Sequence, residues 1–350
     1  MHHGGDIYRN SIQLDFSVNL NPLPVPQTLR DAMRSGCEAG GVYPDPEQER
    51  LRAVLAEGMG VDPACVIAGN GASELILAAV RAVHPERTLL IEPGFTGYRH
   101  ALHSLRSGAV TEYRMTAEEG FTLTERVLDA LTPELDLVIL CDPGNPTGRN
   151  IDPLLLRRIL DRTETHRTMV LLDHSFYLLS AAGQSCGTDP GQLIGSYAHL
   201  IMIQSWTKVL GLPGIRMGCA LSRPETIAGL RDQLPEWNVS AVAEHVMIAG
   251  AALLWGSTFC AEARKVAAEE SAYMLEQLEA LGCRPYPTDT VYILFQAPRE
   301  LYGPLLERGI LIRDCREIPG LGPGYYRIAV RDRAANRVLI RHLQEVMHEH

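Results

Sequence analysis

Lysine is scarce in this 350-residue chain: 30 of its 32 basic residues are arginine, leaving only Lys208 and Lys265. Any chemistry that needs a side-chain amine therefore has two candidates. Basic charge is itself in the minority, with 32 Lys and Arg against 42 Asp and Glu and a formal net charge of −10. Without a basic cluster, nucleic acid is not the expected partner; a small anion remains open, because its site needs only a few local arginines. No apolar run is long enough to span a bilayer, the longest being VMIAGAALLW at 246–255, so no membrane partner is expected. The N-terminal MHHGGDIYRN lacks the apolar core and cleavage site of a secretory signal. The eight cysteines (37, 65, 141, 186, 219, 260, 283 and 315) lie at least 23 positions apart, with no CxxC and no metal-ligand spacing. They read as reduced thiols in a cytoplasmic protein that holds no metal. Repeats, low-complexity tracts and long charge runs are missing too, and 46% hydrophobic with 21% charged residues excludes disorder, collagen and a coiled coil.

What is present is an alternation. Short apolar runs, TLLIEP near 90, LDLVILCDP near 138, TMVLLDHS near 170 and AHLIMIQSW near 201, are separated by helical patterns such as SELILAAVRAV and DPLLLRRILDR. The pattern predicts an α/β fold whose mainly parallel sheet carries helices on both faces. Near Ser240 it changes: a helix-rich stretch runs to Leu281, followed by TVYILFQA, GILIRDC and YYRIAVR and a last helix from Ala334. These form a second, smaller α+β unit, onto which the Pro-rich LNPLPVP segment is expected to pack. The expected division is a large domain of 40–235 and a small domain of 1–39 with 236–350, the first part being an N-terminal arm.

The most informative segment is SWTKVLGLPGIRMG at 205–218. It follows the apolar run LIMIQ, so Lys208 sits just past a strand end, where doubly wound folds bind ligands. An amine in a dry pocket has a lowered pKa and forms a Schiff base with an aldehyde cofactor. Ser205 and Arg216 are close enough in sequence to bind a phosphate beside it. Lys265, within AEARKVAAEE, fits an exposed helical position. Upstream, VIAGNGASELI places Gly71, Ala72 and Ser73 at the junction of an apolar run and a helix. Free N–H groups there suit an anion, although the same residues also suit an ordinary strand-to-helix turn.

S-x-T-K followed by P-G-x-R-x-G resembles the lysine motif of the fold type I pyridoxal-phosphate enzymes, the class I/II aminotransferase family. VIAGNGASELI, CDPGNPTG at 141–148 and LLDHSF ending the run at Asp173 occur in that family's order. The resemblance implies an aspartate-aminotransferase-like fold, with a mainly parallel seven-stranded sheet in the large domain, and pyridoxal 5'-phosphate as cofactor. It implies that Lys208 makes the Schiff base, that Asp173 pairs with the pyridine nitrogen and that Asn145 contacts the ring hydroxyl. Gly71, Ala72, Ser73, Ser205 and Arg216 would hold the cofactor phosphate, Thr207 would also bind the cofactor, and Phe95 would stack on the ring. Tyr43 would reach the partner's cofactor phosphate, making the protein a homodimer. Three positions depart from the family pattern: Gly144, His174 and Phe176 stand where relatives commonly have Asn, Glu and Tyr.

Within the family, the HGG start, LDFSVNLNPL, Phe176 and ILIRDCREIPGLGPGYYRIAVR resemble the threonine-phosphate decarboxylases most, and the histidinol-phosphate aminotransferases next. The implied partner is a small phosphorylated amino acid. Arg327 would take its carboxylate, Arg313 with His3 its phosphate, and Asn21 would line the same pocket. Decarboxylation of L-threonine O-3-phosphate is the reaction implied; amino transfer from histidinol phosphate to 2-oxoglutarate is the alternative.

Overall fold

The computed structural model describes residues 4–106, 108–181 and 189–348. In chain order the first elements are β1 (Leu14–Asp15), α1 (Gln27–Glu38), α2 (Glu49–Met59), β2 (Val66–Gly69) and α3 (Ala72–Val83). Next come β3 (Arg87–Glu92), α4 (Thr96–Ser104), β4 (Ala109–Arg114), α5 (Val127–Ala130), β5 (Leu137–Cys141), α6 (Pro153–His166) and β6 (Met169–Asp173). They are followed by α7 (Pro190–Ser196), β7 (Leu200–Ser205), α8 (Trp206–Val209), β8 (Gly218–Leu221) and α9 (Pro224–Arg231). The remainder holds α10 (Ala241–Gly256), α11 (Phe259–Ala280), β9 (Arg284–Pro285), β10 (Tyr292–Gln296) and α12 (Tyr302–Glu307). Last are β11 (Ile310–Leu311), β12 (Arg313–Asp314), β13 (Tyr325–Ala329) and α13 (Arg333–His348).

Successive side chains on a strand point to opposite faces, and here both faces are covered. Ala68, Leu89, Val138, Val170, Leu172 and Met202 enter one core with α2, α6 and α10. Their neighbours Ile67, Leu90, Ile139, Leu171 and Ile203 enter another with α3, α4 and α9. Continuous apolar runs, rather than alternating ones, are the consequence. The sheet order is β2-β8-β7-β6-β5-β3-β4, as the seven-stranded, mainly parallel expectation requires. Only β8 runs against its two neighbours.

A third core gathers residues from both ends of the chain, Phe16 with Ile293, Phe295, Ile328, Leu339 and Leu343. Its sheet is antiparallel in the order β12-β13-β10-β9, and β1 pairs in parallel with β11. Helix α10 and the first half of α11 pack into the first core beside the large sheet, through Val246, Met247, Phe259 and Ala263. Among the described residues no single helix is long and apolar enough to cross a membrane.

The carboxyl ends of β3, β5, β6 and β7 open on one edge. The chain steps outward from β3 to β4 and then returns across β3 to β5, and such a reversal leaves a crevice for a ligand. Asp152 caps α6 by accepting from the N–H groups of Leu154 and Leu155 (2.9 and 3.0 Å), which ends the β5–α6 loop firmly. Helix α10 props the segment after β7: Trp206 is fully buried and meets Trp255 edge-on, 5.2 Å between ring centroids. Helix α1 lies on α10 in turn, so closely that a Cβ on Gly36 would stand 2.5 Å from Val242 Cα. Backbone cannot move aside as a side chain can. Gly36→Ala is expected to lower the urea-unfolding free energy by about 1–2 kcal/mol, overpacking outweighing the gain in helix propensity. An unchanged midpoint would contradict this close approach.

Candidate active site

Loops after β2, β3, β5, β6 and β7 meet β13 around a cavity of about 190 Å³. Its walls include Ala72, Ser73, Phe95, Asn145, Asp173, Ser205, Thr207, Lys208, Arg216 and Arg327. Lys208 stands on the single turn of α8, and burial lowers the pKa of its amine to about 8. The like charges of Arg327 and Arg216 act in the same direction, and Asp173 opposes them. Lys265 is exposed on α11, outside the cavity.

Asp173 ends β6 and is buried. Its Oδ2 accepts from the Tyr98 hydroxyl at 2.6 Å and its Oδ1 from the Ser175 N–H at 2.9 Å. Burial raises the carboxyl pKa, while these donors and the Lys208 charge pull it down again. Tyr98 in turn meets Phe95 edge-on at 5.4 Å, so the residue that orients Asp173 also supports the ring at the mouth of β3.

An anion cradle lies on the other side of Lys208. Gly71 caps the twelve-residue helix α3 with φ +80°, and among the described residues no side-chain cap hydrogen bond is made there. The Arg216 guanidinium crosses Gly71, where a Cβ would come within 2.8 Å of Nη2. It is fixed by donating from Nη1 to Pro213 O (3.0 Å) and from Nη2 to Asn70 O (3.4 Å). Ser205 Oγ and Thr207 Oγ1 are 2.7 Å apart on the adjoining wall. Helix N–H groups, two hydroxyls and one guanidinium form a donor set suited to a phosphate.

Arg327, on β13, is buried and donates from Nη1 to Asn145 Oδ1 (2.5 Å) and from Nη2 to Ser17 O (2.7 Å). Its buried Nε has no partner among the described residues. Arg313 pairs directly opposite it in the β12–β13 ladder, is also buried, and disfavours the Arg327 charge. Two buried arginines at paired ladder positions, with no carboxylate bonded to either among the described residues, call for an external anion, since an unpaired buried charge is costly.

Residues 11–343 match the family described as aminotransferase class I and II. The chain belongs to that family. It is 32% identical to the threonine-phosphate decarboxylase of Salmonella typhimurium, over 99% of this chain and 96% of the relative. Among solved structures it is similar to the histidinol-phosphate aminotransferase of Clostridium acetobutylicum, with TM-score 0.85, 25% identity, and 95% and 99% of the two chains covered. A double mutant of Thermus thermophilus aspartate aminotransferase shares the fold, with TM-score 0.83, 20% identity and coverage of 97% and 94%. As a member of the class I and II aminotransferase family, the enzyme uses pyridoxal 5'-phosphate. The lysine, the buried carboxylate and the anion cradle fit that cofactor's aldehyde, ring nitrogen and phosphate.

The departures at three family positions have local explanations. A Cβ at position 144 would run into Thr147 Oγ1, so the side chain of Thr147 fills that space. His174 is buried and stacked on Tyr177 at 4.3 Å, and burial pushes its imidazole down to about 3. Phe176 packs edge-on against Tyr292 at 4.9 Å, and the Lys208 amine lies 5.9 Å from its ring centroid.

Other expected residues are placed elsewhere. Asn21 does not line the cavity: its Nδ2 donates to Val209 O (2.7 Å) and its Oδ1 accepts from the Leu23 N–H (2.9 Å). Its backbone N–H donates to Lys208 O (3.0 Å), so it clamps the lysine segment from behind. Arg313 is not part of the cavity wall. Tyr43 is 80% exposed, against Trp237 at 5.0 Å and outside the cavity of its own chain. His3 lies outside the described residues. Sequence reasoning passed over Asn19, which lines the cavity with a buried Oδ1 that has no partner among the described residues. It also assigned nothing to Tyr98, although the phenol follows Phe95 by three residues at the start of a helix.

Folding lowers the Lys208 pKa, so the unfolded chain binds more protons between pH 8 and the ordinary lysine value of 10.5. In the cofactor-free protein Lys208→Met should therefore be more stable than the parent by about 2–3 kcal/mol below pH 8. That difference should shrink as pH rises toward 10, read from urea unfolding across the range. A pH-independent difference would refute the depressed amine.

Proposed function

We propose that this enzyme decarboxylates L-threonine O-3-phosphate to (R)-1-aminopropan-2-yl phosphate and CO₂. The observation that carries the reading is the pair of buried arginines on β12 and β13, with no carboxylate bonded to either among the described residues. Threonine phosphate presents a carboxylate and a phosphate on one small molecule, one anion for each arginine. Histidinol phosphate presents only the phosphate, so the same pair matches it less well. The likeness to the Salmonella decarboxylase along nearly the whole chain supports the same choice.

Pyridoxal phosphate, when bound, supplies an electron sink for a bond broken at the substrate's α-carbon. Gly71, Ala72, Ser73, Ser205, Thr207 and Arg216 would hold its phosphate, and Phe95 and Asn145 would serve its ring and ring hydroxyl. Asp173, oriented by Tyr98, would face the ring nitrogen and pair with it. Arg327, in the cavity wall, binds the substrate carboxylate, and Arg313, paired opposite it on β12 and outside that wall, takes the phosphate of a substrate that reaches past Arg327, each with a planar fork of donors. Fixing both ends sets which bond at the α-carbon is presented for cleavage. Lys208, with an amine pKa near 8, carries a proton at neutral pH and can give it to the α-carbon once CO₂ has left. We also place Tyr43 at the cofactor phosphate of a partner subunit in a homodimer; its exposure beside Trp237 supports that position.

The reading is tested by giving the cofactor-loaded protein L-threonine O-3-phosphate. CO₂ and aminopropanol phosphate should form in equal amounts. Amino transfer from histidinol phosphate to 2-oxoglutarate, without CO₂ from threonine phosphate, would overturn it in favour of the aminotransferase. Arg313→Ala should cut kcat/KM for threonine phosphate on the order of ten- to a hundredfold more than for unphosphorylated threonine. Equal losses for the two would remove Arg313 from the phosphate site.

A further inference from the structure

Behind the anion cradle lies a second layer of polar groups to which nothing above gives a role. Asn70, between β2 and α3, is at its centre. Its backbone N–H donates to Glu74 Oε2 (2.7 Å), and its Nδ2 donates to Glu74 Oε1 (3.1 Å) and to Asn238 O. Asn238 Nδ2 donates to Glu74 Oε2 and to Ala68 O (both 3.1 Å). Its Oδ1 accepts from Gln48 Nε2 at 2.8 Å. Gln48 completes the layer: its Oε1 accepts from the Ala68 N–H (2.9 Å) and its Nε2 donates to Ala68 O (3.2 Å). That amide covers the edge strand β2 as a neighbouring strand residue would.

The arrangement has a directional consequence. Glu74 is the third residue of α3, and its carboxylate reaches back past Gly71 to Asn70, as in a capping box. The Asn70 N–H is thereby spent on Glu74, while its carbonyl faces Arg216 Nη2. Ala72 and Ser73, the first two residues of α3, line the cavity. Three hydrogen bonds and no cation, among the described residues, hold the Glu74 carboxylate. A negative charge so near a phosphate site works against the phosphate, so its use must be geometric.

We propose that Glu74 and Asn238 are positioning residues for the cofactor phosphate: they hold Asn70 and Gly71 so that the α3 N–H groups and Arg216 converge on one point. The inference rests on the reading that the phosphate lies at the start of α3. Its test is the binding of pyridoxal phosphate and of phosphate-free pyridoxal to the cofactor-free full chain, followed by visible absorbance and equilibrium dialysis. Glu74→Ala and Asn238→Ala should weaken pyridoxal phosphate about five- to thirtyfold and leave pyridoxal within about twofold of the parent. Glu74→Gln, isosteric and still able to accept from the Asn70 N–H, should restore most of the loss. Unchanged pyridoxal-phosphate affinity, or a parallel loss for both aldehydes, overturns the proposal. Arg216→Ala is the reference for the site itself. If that change leaves the ratio of the two affinities at the parental value, the phosphate binds elsewhere and both the reading and the inference fall; if it lowers the ratio while Glu74→Ala does not, the inference alone falls.

Discussion

The buried amine of Lys208 shares its cavity with two guanidiniums and one carboxylate, and most of the fold serves to keep it there. Desolvation and the charges of Arg327 and Arg216 favour the neutral amine, while Asp173 alone favours the ammonium. Near neutral pH this balance leaves the amine close to its own titration. It can then react as a nucleophile or carry a proton without a large change in environment. In water the same side chain would be locked as a cation. The cost is an interior with too much positive charge, which only anionic ligands relieve.

Distant parts of the chain hold that charge in place. Strand β7 delivers Lys208 to the edge of the sheet, α10 props the turn through Trp255, and Asn21 clamps it by hydrogen bonds to Lys208 O and Val209 O. Arg327 comes from the C-terminal sheet, yet donates to Ser17 O on the N-terminal segment and to Asn145 beyond β5. Both ends of the chain therefore close over a site whose cofactor side is built by its middle. The positioning layer at Asn70, Glu74 and Asn238 repeats the principle on the phosphate side, with a loop between two helices securing a third.

Much of this was legible in the residue order. With only two lysines, a lysine at the end of an apolar run could hardly be missed, and the uninterrupted apolar runs stated that both sheet faces are covered. Strand ends then placed Asp173 and Lys208 at one edge of the sheet, and the family resemblance added Asn145. Side-chain commitments between distant segments were not legible. Asn21 sits in a motif that resembles a binding segment, but both of its amide groups are bonded to backbone. Tyr98 orients Asp173 from 75 positions away, and Gln48 meets Asn238 across 190. Helix α10 looked like the opening of the second unit because the sequence pattern changes at Ser240, yet its apolar side chains complete the first core. Periodicity records that a face is buried; it does not record against what.

Selective ¹³C labelling of lysine in the cofactor-free chain examines the buried amine most directly, because only two signals can appear. The Lys208 signal, identified by its loss in Lys208→Ala, should titrate with a midpoint near pH 8. A midpoint above pH 10, the range of a solvated lysine, would mean that the charge balance described for this cavity does not exist.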